Sequence, residues 1–574
     1  MENQTDDNRL LNSIVQEVIS EAHIDPSLIL PEEIDYIREH VLKKPMGVVH
    51  IWALGVGVVI AGMYFGWNFG LPVAGPVGML IASLIVCGLY LTWVLGLSEL
   101  SVAMPFAGGP MAYGRRALGK GFGFFMGWSM FLESLFAAIG TALATGGYVA
   151  FLLNPDHPDK TTTTICAVLC AIVFMAVQYV GVKEQAAVML WLTWTAIGAL
   201  VWFWAAASPG VSLDRVFTTP LLPNGWSGVL GAVPYALWWL VIIETVALAS
   251  EETHEPHISI PRGMVLAQIT LVALVVLTWF FVVAVAPYAE TGAVDYPLPL
   301  AFKKVWGTGW FLKSFSAVAL SGLIVSYSGM IYATSRQAFS LGRAGYLPKI
   351  LGSVHSTRRV PDVSLALCTL VSILFIVLGR FYEKATAVAI LISTLAAVIW
   401  YVLAMVCLFV LRRKEPGLFR PYQTPAFPWL PLFVALLAAF SGYLYAWVNV
   451  QVLLPTAILY AAAGVWYAVR GRKSVLAAAP EEVAARIAAK LTAKDGESRI
   501  TIVVAKGMIE HVTGVVLLAG LLSLVWMVLR ATKVLPGAST SAEVLAVGAI
   551  WTALFFLVSF VGLYSTRRRP RGVI

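Results

Sequence analysis

The chain has 574 residues, of which 59% are hydrophobic and 12% charged, with a formal net charge of +8. Soluble domains carry about 25% charged residues. Here apolar runs of membrane length recur from end to end, so a soluble globular protein is excluded and a multi-pass membrane protein is expected. The positive balance needs no nucleic-acid partner, because it falls in short loops and in the tail Arg567, Arg568, Arg569 and Arg571, where it sets topology.

The N-terminus, MENQTDDNR, is acidic and polar, unlike a cleavable signal peptide. Residues 10–19 place Leu10, Leu11, Ile14, Val15 and Val18 at helical spacing. Residues 31–42 open on Pro31 and repeat Ile34, Ile37, Val41 and Leu42, as a helix with an N-terminal proline does. Fourteen spans follow, at 47–71, 77–103, 121–153, 162–180, 185–208, 228–251, 264–287, 311–341, 361–380, 384–411, 426–449, 452–470, 508–530 and 542–564. Between spans 12 and 13, residues 480–491 put Val483, Ile487 and Leu491 on one face. These three extramembrane segments fit either a membrane-surface or capping role, or plain amphipathic connection.

Arg115, Arg116 and Lys120 follow span 2, and Lys183 follows span 4. Arg262 precedes span 7, and Arg336, Arg343, Lys349, Arg358 and Arg359 follow span 8. Arg412, Arg413 and Lys414 follow span 10, and Arg470, Arg472 and Lys473 follow span 12. Alternating spans put all of these on one side, which the positive-inside rule makes cytoplasmic, with both termini inside a cell (cytoplasmic) membrane. The expected domains are a cytoplasmic segment 1–46, a transport core 47–411, helices 11 and 12 over 412–473, a linker 474–507, and 508–574 with two extra spans and a basic tail.

Span 1 carries Gly55, Gly57, Gly62 and Gly66 within a membrane-length run. Lipid tolerates a weakened helix only where freed backbone groups meet protein, water or a ligand, which is the setting of a carrier's binding site. Span 6 is the second interrupted candidate, with Pro234 removing a donor inside it. Glu244 follows in a run otherwise nearly free of charge. An intramembrane acid is either a pathway residue or a protonated, hydrogen-bonded structural one. Trp238, six residues before it, fits a cation–π lid over an amine or simple packing, beside Trp239. Glu133, in the middle of span 3, would attract a cation, relay a proton or tie helices together. Glu99 lies near the end of span 2 and reads as structural. Gly123 and Gly127 read as a close-packing pair. Ser321, Ser326, Tyr327 and Ser328 on span 8 either join an ion site with span 1 carbonyls or bond back to their own helix. Cys87, Cys166, Cys170, Cys368 and Cys407 all lie in apolar spans and form no disulfide framework or metal cluster. Nothing resembles a nucleotide loop or a nucleophile elbow, so neither an enzyme nor a bound cofactor is expected.

Several stretches resemble the amino acid–polyamine–organocation superfamily of secondary transporters. They are Gly57–Gly66, SELSVAMPFAGGPMAYGRRALG at 98–119, YALWWLVIIET through SEETHEPHISIPRG at 235–263, TSRQAFSLGRAGYLPKIL at 334–351 and FRPYQTPAFPWLP at 419–431. The resemblance covers roughly residues 45–473. It implies an all-α membrane protein of LeuT-like 5+5 inverted-repeat fold with helices 1 and 6 unwound at the substrate site. Ala61, Gly62 and Met63 would then offer backbone groups, Trp238 would be the aromatic gate and Glu244 the helix 6 gating carboxylate. The expected substrate site is Ala61, Gly62, Met63, Tyr64, Glu133, Trp238, Trp239 and Tyr327, with Ser326, Ser328 and Thr195 as an ion site. Within the superfamily, AGMYFGWNFG looks most like ethanolamine permeases, yet Met63 stands where those have an acid. Span 5 lacks the lysine of many proton-coupled members and has Thr195 and Ala196 there, and Ile242 replaces a helix 6 glycine. Fourteen spans are similar to the cationic amino acid transporter branch.

The expected activity is coupled uptake or exchange of an amino acid or small organic amine, driven by protons or sodium. The alternative is a transporter-derived membrane sensor of such a ligand.

Overall fold

The computed structural model describes residues 46–476 apart from 105–107, 181, 251, 252, 254, 356–359, 417 and 419. The N-terminal segments, the 480–491 helix, spans 13 and 14 and the basic tail therefore lie outside the described residues. The chain divides into two compact units, Met1–Arg420 with Pro431–Ser498, and Pro421–Leu430 with Arg499–Ile574. Everything below concerns the first.

Among the described residues, ten helices are long and apolar enough to cross a membrane. They are α3 (Leu71–Ala103), α5 (Lys120–Leu153), α6 (Lys160–Val180), α7 (Val182–Ala207), α10 (Pro256–Val285), α13 (Trp310–Arg343), α14 (Asp362–Gly379), α15 (Ala385–Lys414), α16 (Trp429–Val448) and one running through α17 (Leu453–Trp466). Each coincides with an expected span.

Of the expected spans within the described residues, the other two, 1 and 6, are broken. Span 1 comprises α1 (Val48–Val59), α2 (Ala61–Tyr64) and a 3-10 turn, Trp67–Gly70. Span 6 comprises α8 (Gly225–Ala236), a 3-10 turn at Leu237–Trp239 and α9 (Thr245–Leu248). Three shorter helices lie between these spans: α4 (Pro110–Leu118), α11 (Tyr288–Thr291) and α12 (Pro297–Trp306).

Burial separates centre from rim. The most apolar stretch of α5 is 89% buried, against 28% for α6 and 17% for the helix containing α17. Helix α5 packs on α13, α15, α6 and α4, and α3 packs on α8 and α10. On the rim Trp191, Leu370, Leu436 and Leu454 are exposed, as side chains facing lipid are. A central, largely covered helix is where Glu133 sits, and it borders both broken spans.

Candidate substrate and coupling site

The break in span 1 falls later than its first glycines suggest. Gly55 and Gly57 remain inside α1. The backbone departs from helix at Phe65, which is extended (φ −163°, ψ 171°), and at Gly66, at φ 95°. A Cβ on Gly66 would lie 2.3 Å from the Trp238 ring, so the position needs glycine for its conformation and for the ring against it.

Every freed group that can be followed around this break has a partner. The Ala61 amide donates to Ser326 Oγ (2.8 Å), and that hydroxyl donates on to the Gly57 carbonyl (2.8 Å). The Tyr148 hydroxyl donates to the Tyr64 carbonyl at 2.7 Å. The Gly66 amide donates to Asn68 Oδ1 at 2.8 Å, while Asn68 Nδ2 donates to the carbonyls of Thr291 (2.7 Å) and Val294 (2.8 Å). The break is thus held by α13, α5 and by α11 with the loop after it, as a buried irregular backbone must be.

Span 6 breaks opposite. Ile242 has φ 74°, a conformation uncommon for any side chain and rarer for a β-branched one. A Cβ on Gly62 would lie 2.7 Å from the carbonyl oxygens of both Trp238 and Trp239. The two broken backbones therefore touch, and only a hydrogen at Gly62 permits it. Trp238 is buried and edges Phe65 at a centroid distance of 5.2 Å. Its indole also lies against Gly140 and Gly66, beside Ile390. Trp239 faces elsewhere, stacked on Trp67 at 4.5 Å with its Nε1 donating to Ser83 Oγ at 2.9 Å.

The two intramembrane acids meet each other. Glu133 and Glu244 are each 1% exposed, and their carboxyls are neighbours. Trp400 Nε1 donates to Glu133 Oε2 (2.6 Å) and the Tyr401 hydroxyl to Glu244 Oε1 (2.7 Å).

Of the expected substrate residues, Ala61, Gly62, Met63, Tyr64 and Trp238 come together at the facing breaks. Glu133 does not join them; it lies seven residues along α5 from Gly140, roughly 10 Å at 1.5 Å per residue. Tyr327 turns toward α6 and packs on Phe174 at 5.6 Å.

The expected ion site of Ser326, Ser328 and Thr195 is not assembled. Residues two apart on a helix point about 200° apart. Ser326 faces span 1, whereas Ser328 accepts from Gln178 Nε2 at 3.2 Å. Thr195 is exposed on the outer face of α7 and bonds back to the Trp191 carbonyl. Thr193, fully buried, is the span 5 hydroxyl that reaches span 1, 3.3 Å from the Ala53 carbonyl. Sequence reasoning missed Thr193, Asn68, Tyr148, Trp400 and Tyr401; Asn68, a lone amide in an apolar run, is the one that carried a signal.

A bundle of membrane-crossing helices, with two of them broken face to face at its buried centre, defines a membrane carrier. A family model described as amino acid permease matches residues 46–469, so the chain belongs to the amino acid permease family. It is similar to an uncharacterized transporter of Rhizobium meliloti, 28% identical over 445 residues, covering 76% of this chain and 93% of the relative. It is similar to the branched-chain amino acid permease BcaP of Bacillus subtilis, 27% identical over 428 residues, 72% of this chain and 90% of that one. The aromatic amino acid transport protein AroP of Corynebacterium glutamicum is 25% identical over 416 residues, 68% of this chain and 86% of that protein. The chain is a multi-pass membrane permease, and an enzyme reading is set aside by its family.

Proposed function

We propose that this permease carries neutral amino acids with apolar side chains, by alternating access of two inverted five-helix repeats in a LeuT-like arrangement. Spans 1–5 and 6–10 would form the repeats, and the cytoplasm would lie on the side of the basic loops.

The observation that carries the reading is the contact of the two broken backbones at Gly62, Trp238 and Trp239. The Trp238 and Trp239 carbonyls that face Gly62 there suit the ammonium of an amino acid. The surroundings named above, Met63, Phe65, Trp238 and Ile390, are apolar, and Glu133 is engaged elsewhere. That favours an uncharged side chain over ethanolamine or a cationic amino acid. Relatives named for branched-chain and aromatic amino acids support the same class.

The test is counterflow in liposomes holding the purified protein, with labelled leucine, phenylalanine, lysine and ethanolamine. Exchange of leucine or phenylalanine is expected. Exchange of lysine or ethanolamine with neither leucine nor phenylalanine would overturn the proposed class.

A further inference from the structure

Beyond α17 the chain does not simply leave the bundle. It makes one π-helical turn, Tyr467–Gly471, and one α-helical turn, Arg472–Ser474. It then extends at Val475 (φ −65°, ψ 128°) and lies along the loop that follows α13. The Leu476 amide donates to the Ala344 carbonyl at 3.2 Å. The Ser474 hydroxyl donates to the Gly345 carbonyl at 2.7 Å. From the other side, Arg115 of α4 donates through Nη2 to the Leu476 carbonyl at 2.7 Å. A helix end left to water needs none of these bonds.

The seat is shaped to receive this segment. Gly345 has φ 80°, and a Cβ there would overlap the Ser474 carbonyl oxygen, so any side chain would lift the segment away. Val475 packs on an apolar cluster that includes Met111 of α4, Phe124 of α5, and Leu341 and Tyr346 from the end of α13 and its loop. Trp466 Nε1 donates to the Tyr346 carbonyl at 2.9 Å, and the Tyr346 hydroxyl to the Lys120 carbonyl at 2.8 Å. Arg115 commits a guanidinium to a backbone carbonyl, a charge-assisted bond and stronger than a neutral one. The amino acid permease match ends at residue 469. The seat lies inside it and the seated residues lie beyond it.

We propose that residues 472–476 are a strap that holds the basic-loop end of the carrier closed and must unseat before that end opens. This rests on the transport reading above. In that reading α4, between spans 2 and 3, belongs to the first repeat, and Ala344 and Gly345, after span 8, belong to the second. A segment bonded to both bridges a seam between bodies that alternating access moves past each other. The tie consists of three hydrogen bonds and one apolar side chain, and Arg472, Lys473 and Ser474 are exposed. It can therefore release as a local opening, without unfolding a membrane helix. The chain runs on from Leu476 into the rest of the linker, so a pull on the linker reaches the loops after spans 2 and 8 directly.

The experiment uses the full chain in liposomes and the same four labelled substrates, read with whichever of them wild type exchanges. Leu476→Pro deletes the amide that Ala344 receives, next to a Val475 backbone already extended as a following proline requires. Its maximal exchange rate is expected to rise by about threefold or more, the range that one hydrogen bond spans, with half-saturation unchanged. Ser474→Ala, on an exposed residue, should give a smaller rise in the same direction. The double variant Ala344→Cys with Leu476→Cys tests the opposite state, each single cysteine variant serving as its control. Oxidation is expected to link the two residues, seen by mass spectrometry, and to slow exchange by at least about tenfold until reductant is added. Exchange by Leu476→Pro at or below the wild-type rate, with an unchanged thermal midpoint, overturns the proposal. So does full-rate exchange by the cross-linked protein, or failure of the two cysteines to link at all. Lysine or ethanolamine exchange released by Leu476→Pro, with neither leucine nor phenylalanine carried, keeps the strap and overturns the neutral-substrate reading instead.

Discussion

Ile242 carries a cost that its surroundings must offset. Its φ of 74° is the left-handed region, and residues held there against their preference cost about 1–3 kcal/mol. The side chain is 1% exposed, so burial works in the opposite direction. Two substitutions separate these effects. Ile242→Ala and Ile242→Gly both lose the packed side chain, but only glycine relieves the backbone. The glycine variant should therefore be the more stable by about 1 kcal/mol, the reverse of the order seen within helices. Thermal melts of the two variants in detergent check this, and an alanine variant equal to or above the glycine one would show that Ile242 is unstrained. At this scale the sequence was informative where a residue type was out of place: an acid in an apolar run, or a β-branched residue where the resemblance implied glycine. It was uninformative about direction. Thr195 and Thr193 look alike in sequence, and only the rotation of α7 decides that Thr193 faces span 1 while Thr195 faces outward.

At the scale of elements, the two broken spans depend on each other through one glycine. Gly62→Ala would put a methyl carbon within 2.7 Å of two backbone carbonyl oxygens, and backbone cannot rotate aside as a flexible side chain can. The spans would have to part, so leucine uptake should fall by at least about tenfold, the equivalent of about 1.4 kcal/mol in the barrier. Uptake rates in liposomes at matched protein content measure it, and near-normal rates would remove the tight contact from the working cycle. The breaks themselves were legible, because glycine and proline inside membrane-length runs are local signals. Their partners were not. Ser326, Tyr148 and Asn68 complete the span 1 break from three other places in the chain, and Trp400 and Tyr401 complete the acid pair from α15. Such pairings depend on tertiary packing, and an aromatic in an apolar helix reads as packing until an acid is found beside it.

Across the whole bundle, alternating access requires each end to open in turn, and each end carries its own ties. At the end with the basic loops, Arg412 grips Glu99 at 2.5 Å and Arg116 pairs with Glu415 at 2.7 Å, tying α3, α4 and α15 by charge. At the other end Lys303 pairs with Asp156 at 2.8 Å and Lys304 with Glu290 at 2.7 Å, beside ties made by an amide and a carboxyl. Asn68 holds the loop after α11 by two carbonyls, and Asp295 in the same loop lies against Gly147 of α5 and 3.3 Å from Thr386 of α15. Asp295 is partly exposed as a residue, with its carboxyl turned inward. Burial pushes that carboxyl up to about 6, against smaller lowering by Thr386 and Lys160; the adjoining Tyr296 hydroxyl is raised as well, by burial and by Asp295 itself. The ordinary aspartate value is about 3.9. An acid whose folded-state value is raised contributes its stability fully below the unfolded value and loses it as pH rises through the folded value. The loop should therefore be held best in acid and loosen as pH rises through about 6. Asp295→Asn stays neutral throughout, so the difference in thermal midpoint between it and wild type should widen in the variant's favour across that window. Asp156 and Asp159, exposed and held below the usual range by Lys303 and by the Thr162 amide, are common to both proteins and cancel in the comparison. A difference that stays flat from about pH 4 to 7 would mean that the Asp295 carboxyl is solvated as an ordinary aspartate is, and that the loop is held by Asn68 and its other ties rather than by this carboxyl.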